Sequence, residues 1–130
     1  MQIKSFFRHY WKSISVVLFI LNLSFASPAN FKEVPKIENI DKIVHLLLYA
    51  GLSIVLIYDF KNHKRVNTYS LAFVLLCLLF PIVLGGMIEI LQPQFFSPRT
   101  AEWGDWLSDI AGVIVGWLVM FFFKLRIKRV

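Results

Sequence analysis

Four apolar runs mark the chain, and short charged stretches separate them. The first, SISVVLFILNLSFAS (Ser13 to Ser27), follows a basic start that holds Lys4, Arg8 and Lys12. The second, IVHLLLYAGLSIVLIY, covers Ile43 to Tyr58. The third, TYSLAFVLLCLLFPIVLGGMIEIL, covers Thr68 to Leu91, and the fourth, WLSDIAGVIVGWLVMFFF, covers Trp106 to Phe123. A helix needs about 17–25 residues to cross the hydrocarbon of a bilayer. The third and fourth runs satisfy this, whereas the first two reach it only if their flanks join them. The pattern therefore predicts an all-α integral membrane bundle of four transmembrane helices with short loops. It forms a single domain over residues 1–130, with spans near 13–31, 42–59, 68–91 and 106–123.

Three details refine these elements. Pro81, followed by Gly85 and Gly86, predicts a kink or loosening of the third helix, and carbonyls freed there need partners from neighbouring helices. GVIVG (Gly112 to Gly116) is a small-xxx-small pattern and predicts a packing face. The first run has a rival reading as a cleavable signal peptide, because a basic start and a short apolar core precede the small residues of ASPA (Ala26 to Ala29).

Composition sharpens the class. Of 130 residues 58% are hydrophobic and 17% charged, and the mean hydropathy is +0.66. A soluble domain of this length would need more polar surface to cover its core. The lone cysteine, Cys77, lies inside an apolar run, which excludes an intrachain disulfide and suggests packing. The net charge of +6 does not form a soluble basic face, which argues against nucleic acid as a partner. Basic residues instead cluster at the termini and in one loop. Lys4, Arg8, Lys12, Lys61, Lys64, Arg65, Lys124, Arg126, Lys128 and Arg129 fall on one side of the expected bundle, and Lys32, Lys36, Lys42 and Arg99 on the other. That imbalance predicts a cytoplasmic (inner) membrane protein with both termini in the cytoplasm.

With that orientation, polar residues scattered in sequence share one membrane level. Asp41 and His45 are four apart on the second helix, and Tyr49 continues their face. Glu89 and Gln92 share a face of the third helix, and Asp105 and Asp109 a face of the fourth. Ionisable residues at such depth are costly and normally face a bundle interior or a wet cavity. The simplest expectation is an outward-opening pocket lined by the second, third and fourth helices, with Arg99 over its mouth. Each part also has a plainer reading. Asp41 and Asp105 suit the positive end of a helix dipole, Lys42 suits snorkelling, and His45 suits a hydrogen bond to a neighbouring helix. Tyr10, Trp11, Trp103 and Trp106 suit an interfacial aromatic belt.

These residues carry a resemblance. DKIVHLLLYAGL (Asp41 to Leu52) resembles the D-K-x-x-H-F-x-x-Y element of VanZ-like membrane proteins. EILQPQFFSPRTAEWGDWLSDIAGVIVG (Glu89 to Gly116) resembles that family's E-x-x-Q, Arg and D-x-x-x-N-x-x-G-x-x-x-G series. The likeness implies that Asp41, Lys42, His45, Tyr49, Glu89, Gln92, Arg99 and Asp105 are the characteristic polar positions. Leu46 replaces the usual Phe, and Asp109 replaces the usual Asn, which adds a carboxylate to the pocket. The family is named for a protein linked to resistance to the glycopeptide teicoplanin, so the resemblance implies an association with the cell envelope.

Three functions compete. The first is a non-enzymatic protein whose pocket binds a lipid headgroup or a lipid-linked cell-wall precursor, with Arg99 paired to phosphate. The second is a membrane-embedded, metal-dependent hydrolase acting on a lipid phosphate, with His45, Asp41, Glu89 and Asp105 as acid/base or metal-ligand candidates. No HExxH, GxSxG or paired-histidine spacing accompanies that set. An ion-coupled transporter is the third, and no inverted repeat supports it. The first is preferred. Metal, ligand and oligomeric state stay open at this level.

Overall fold

A computed structural model describes residues 3–25, 40–63, 70–95 and 103–123, and every element among them is helical. Helix α1 is Ile3–Ser24, α2 is Ile40–His63, and α3 is the short Leu71–Val74. A π-helical turn, Leu75–Leu79, joins α3 to α4, Phe80–Phe95, and α5 is Trp103–Phe123. Three stretches are long and apolar enough to cross a membrane: Ile40–Asn62, Leu71–Gln94 and Trp103–Phe123. Large apolar side chains cover their outer surfaces, among them Leu47, Leu71, Leu107 and Phe122. Such a continuous apolar exterior suits lipid and not water. The protein is a membrane protein.

The second helix is longer than its expected span of 42–59. At about 1.5 Å per residue, the 24 residues of α2 reach beyond the roughly 30 Å hydrocarbon layer. Continuation past Tyr58 takes the helix through a buried acid, Asp59, which accepts bonds from Ser13 N at 3.1 Å and Ser13 Oγ at 2.8 Å. The donor is free because α1 departs from helical geometry at Tyr10 (φ −107°, ψ 15°). Asp59 thus caps the second half of α1 from a neighbouring helix.

α1 is not among the three stretches that meet the length and hydropathy of a span. It starts ten residues before the expected span of 13–31 and ends at Ser24. The residues from 26 to 31 lie outside the described residues. Tyr10, expected in an interfacial belt, is instead buried at 4% exposure and stacks on Phe6 with ring centroids 4.8 Å apart.

The helix directions follow from these contacts. α5 runs parallel to α2, since Gly112 meets Leu46 and Ala50 while Gly116 meets Ala50 and Ser53. This is the most extensive helix pair. A Cβ on Gly116 would lie 2.7 Å from Ser53 Cβ and 2.8 Å from Ala50 O, and one on Gly112 would strike Leu46 O. The GVIVG stripe is the packing seam that the sequence predicts. α4 is antiparallel to both, and α1 is antiparallel to α2.

The break in the third apolar run has a local cause. Pro81 has no N–H to offer the carbonyl of Cys77. A π turn ends just before it, and Trp117 Nε1 donates to Cys77 O at 3.0 Å. Trp106 Nε1 likewise donates to Ile82 O at 3.0 Å, so its ring turns toward α4. Cys77 itself is fully buried, in keeping with a packing role.

Candidate functional site

The start of α2, the end of α4 and the start of α5 meet at one end of the bundle. His45 Nδ1 lies 2.7 Å from Asp109 Oδ1, joining α2 to α5 across 64 positions of sequence. Asp109 is completely buried. It fits because Gly85 of α4 faces it: a Cβ at that position would stand 2.6 Å from Asp109 Oδ2. One helical turn nearer the end of the bundle lie Glu89 on α4 and Asp105 on α5. They are only 6% and 8% exposed.

His45, Glu89 and Asp105 converge. Each offers one ligand atom, and the three atoms lie within 4.8 Å of one another. Lys42, one turn before the histidine on α2, sets its Nζ 3.6 Å from Asp105 Oδ1. Its stem passes over Gly104, where a Cβ would come within 2.8 Å of Cε. The lysine side chain keeps 39% of its surface exposed, so the ammonium sits at the edge between the buried acids and the outside.

The other expected site residues divide. Tyr49 is buried on the α2 face that carries His45, one turn deeper. Gln92 is buried too, but its amide donates to Ser24 O at 2.9 Å. That bond ties the end of α1 to α4 and satisfies one of α1's terminal carbonyls. Asp41 is exposed in the first turn of α2, the position its plainer reading suits. Arg99 lies outside the described residues. The structure therefore gathers Lys42, His45, Glu89, Asp105 and Asp109 into one group and gives Gln92 a fold contact.

One participant escapes a reading by sequence. Gly85 reads as helix loosening beside Pro81, yet it is the seat of the Asp109 carboxylate. Its spacing of four from Glu89 was the available signal, because that places both on one face of α4. Asp59 and Ser13 lie at the opposite end, and neither bears on the site.

Chemically the cluster mixes one imidazole, three carboxylates and one ammonium in a largely buried setting. An ionised Asp109 only accepts hydrogen bonds, so the shared proton belongs to His45 Nδ1. That leaves Nε2 as the ring's free donor of an electron pair in the neutral form. The arrangement is able to take a cation, to accept bonds from amines or hydroxyls, and to accept a proton at Nε2. A scan against protein-family models, a search of curated proteins and a search of solved structures return no match to this chain.

Proposed function

We propose that the protein is a VanZ-like, four-span membrane protein of the cell envelope with an outward-facing polar site. That site binds the phosphate-bearing headgroup of a membrane lipid or of a lipid-linked cell-wall precursor. The observation that carries the reading is the convergence of Lys42, His45, Glu89 and Asp105 from three helices at one end of an otherwise lipid-facing bundle. Buried ionisable groups in a membrane protein are expensive and mark sites of function more often than of packing. Lys42 and Arg99 supply the cations for phosphate, and the carboxylates hold those cations and receive hydroxyls or amines of the headgroup.

The fourth span is supported by the course of α1. It meets Asp59 at one end of the bundle and Gln92 at the other, so its apolar half runs alongside the three long helices. The distribution of Lys and Arg supports cytoplasmic termini, which turns the polar end outward.

Native mass spectrometry of gently purified protein tests the reading. Wild type is expected to retain a phosphate-bearing lipid, and Lys42→Ala and Arg99→Ala to lose most of it while circular dichroism shows unchanged helicity. Equal retention by both variants, or none by folded wild type, contradicts it. The Asp109–His45 pair favours a second reading, a hydrolase of a lipid phosphate, because it orients an imidazole as a general base does. Conversion of added lipid phosphate by wild type but not by His45→Gln would select that reading.

A further inference from the structure

We propose that His45, Glu89 and Asp105 form a binding site for one divalent transition-metal ion, Zn2+ or Mn2+, with Asp109 as the residue that positions His45. The inference rests on the reading of this cluster as the functional site, but not on the identity of any headgroup.

Geometry is the first support. Three donor atoms from three helices lie within 4.8 Å of one another. Donors bound to a single ion at roughly 2.1 Å are separated by at most about 4.2 Å. Three donors around one such ion stand about 3.0–3.6 Å apart, so side-chain rotations that shift the donor atoms by about 1 Å bring the set into range. Because the donors sit on three different helices, no linear ligand motif announces them.

The orientation of the histidine is the second. Metal-ligating histidines almost always donate their other ring N–H to a carboxylate or carbonyl, which fixes the tautomer and raises the basicity of the ligating nitrogen. Asp109 Oδ1, 2.7 Å from His45 Nδ1, is in that relation. Nε2 is then the nitrogen left to meet an ion. Gly85 holds the acid closely from the other side, leaving Asp109 little room to turn away.

Charge is the third. Glu89, Asp105 and Asp109 bring three carboxylates, all more than nine-tenths buried, and Lys42 brings one ammonium. With the acids ionised, the group exceeds its ammonium by two negative charges, which a divalent ion balances. Oδ2 of Asp109 is buried without a hydrogen bond among the described residues, and Oδ1 of Asp105 has only the Lys42 ammonium, 3.6 Å away. A carboxylate has two oxygens, so Asp105 is able to hold an ion with one while Lys42 stays beside the other.

The donor set selects the metal class. One imidazole and two carboxylates suit Zn2+ or Mn2+ better than Ca2+ or Mg2+, which take oxygen alone. Three protein ligands leave coordination open to a water or to an oxygen of phosphate. The ion would thereby reconcile an acid-rich site with an anionic ligand.

The test uses the full chain without an affinity tag, stripped with EDTA, dialysed, and titrated with Zn2+ or Mn2+. Bound metal is counted after size exclusion. Wild type is expected to bind one ion per chain. Glu89→Gln and His45→Gln are expected to lose it, and Asp109→Asn to bind 10–100-fold more weakly. Failure of folded wild type to bind either ion overturns the proposal, as does full retention by Glu89→Gln or His45→Gln. Should those variants misfold, the imidazole NMR signals of wild type decide. A Zn2+-induced shift of the His45 signal, told from His9 and His63 by single substitutions of the latter, supports the site, and an unshifted His45 signal overturns it. Lipid retention is measured on the same stripped protein. Retained lipid without metal binding rejects the ion and spares the headgroup reading. Metal binding without lipid does the reverse.

Discussion

Pro81 deprives the carbonyl of Cys77 of its usual helical donor, and Trp117 supplies another from α5. In hydrocarbon no water stands in for such a donor, so the requirement for an internal partner is strict. Trp117→Phe removes the N–H and keeps most of the ring, including its packing on Phe73, whose centroid lies 5.1 Å away. The expected loss is about 0.6 kcal/mol, the average for hydrogen bonds between membrane helices, and at most about 1.7. Reversible unfolding in mixed micelles reads it, and an unchanged unfolding midpoint would mean that the π turn satisfies Cys77 O alone. The need for a partner at this carbonyl is legible from Pro81; which tryptophan answers is not. The same holds for His45. Its neighbour on the expected pocket wall, Asp109, is visible as an acid on the right face, but a contact across 64 positions has no local signature. Asp59 and Ser13 were illegible for a different reason. Their bond depends on a backbone irregularity at Tyr10 that no residue type dictates.

Among elements, the α2–α5 pair is the frame of the site, and glycine makes it close. Gly112 and Gly116 let α5 ride on the backbone of α2, which keeps Asp109 within bonding distance of His45 one turn away. Gly112→Ala would drive its methyl into Leu46 O, so the helices must separate. Overpacking of this kind typically costs about 1–3 kcal/mol, and metal or lipid binding should fall with it. Gly51 lies on α2 with open space where a Cβ would stand. Gly51→Ala is therefore expected to be neutral or to stabilise by roughly 0.5–1 kcal/mol, through helix propensity alone. Thermal unfolding of both variants in one detergent makes the comparison, and equal effects would refute the seam. This seam was legible, because a four-residue spacing of glycines in an apolar helix has one common use. The exact reach of the elements was less so. α2 extends past its apolar run because Ser13 satisfies Asp59, and α4 extends to Phe95 although Pro93 lies within it.

On the scale of the whole molecule, the account joins two asymmetries. The polar cluster occupies one end of the bundle, and the Lys and Arg pattern of the sequence predicts the cytoplasm at the other. Hydropathy made the membrane class and three of the spans readable, since lipid selects strongly for apolar runs of fixed length. The gathering of Lys42, His45, Glu89 and Asp105 was readable only as a shared level; the separate employment of Gln92 on Ser24 required the course of α1. A single outward site demands that the end of α4 and the start of α5 open to the same side. Substituted-cysteine labelling tests this most directly, in a Cys77→Ser background, with an impermeant maleimide on intact cells. Gln94→Cys, Trp103→Cys and Asn62→Cys all use exposed positions away from the cluster. Cysteines at 94 and 103 are expected to label from outside, and the one at 62 only after the membrane is opened. Labelling of 94 and 103 from opposite sides would contradict a common site, and labelling of both from the cytoplasm alone would contradict its outward face.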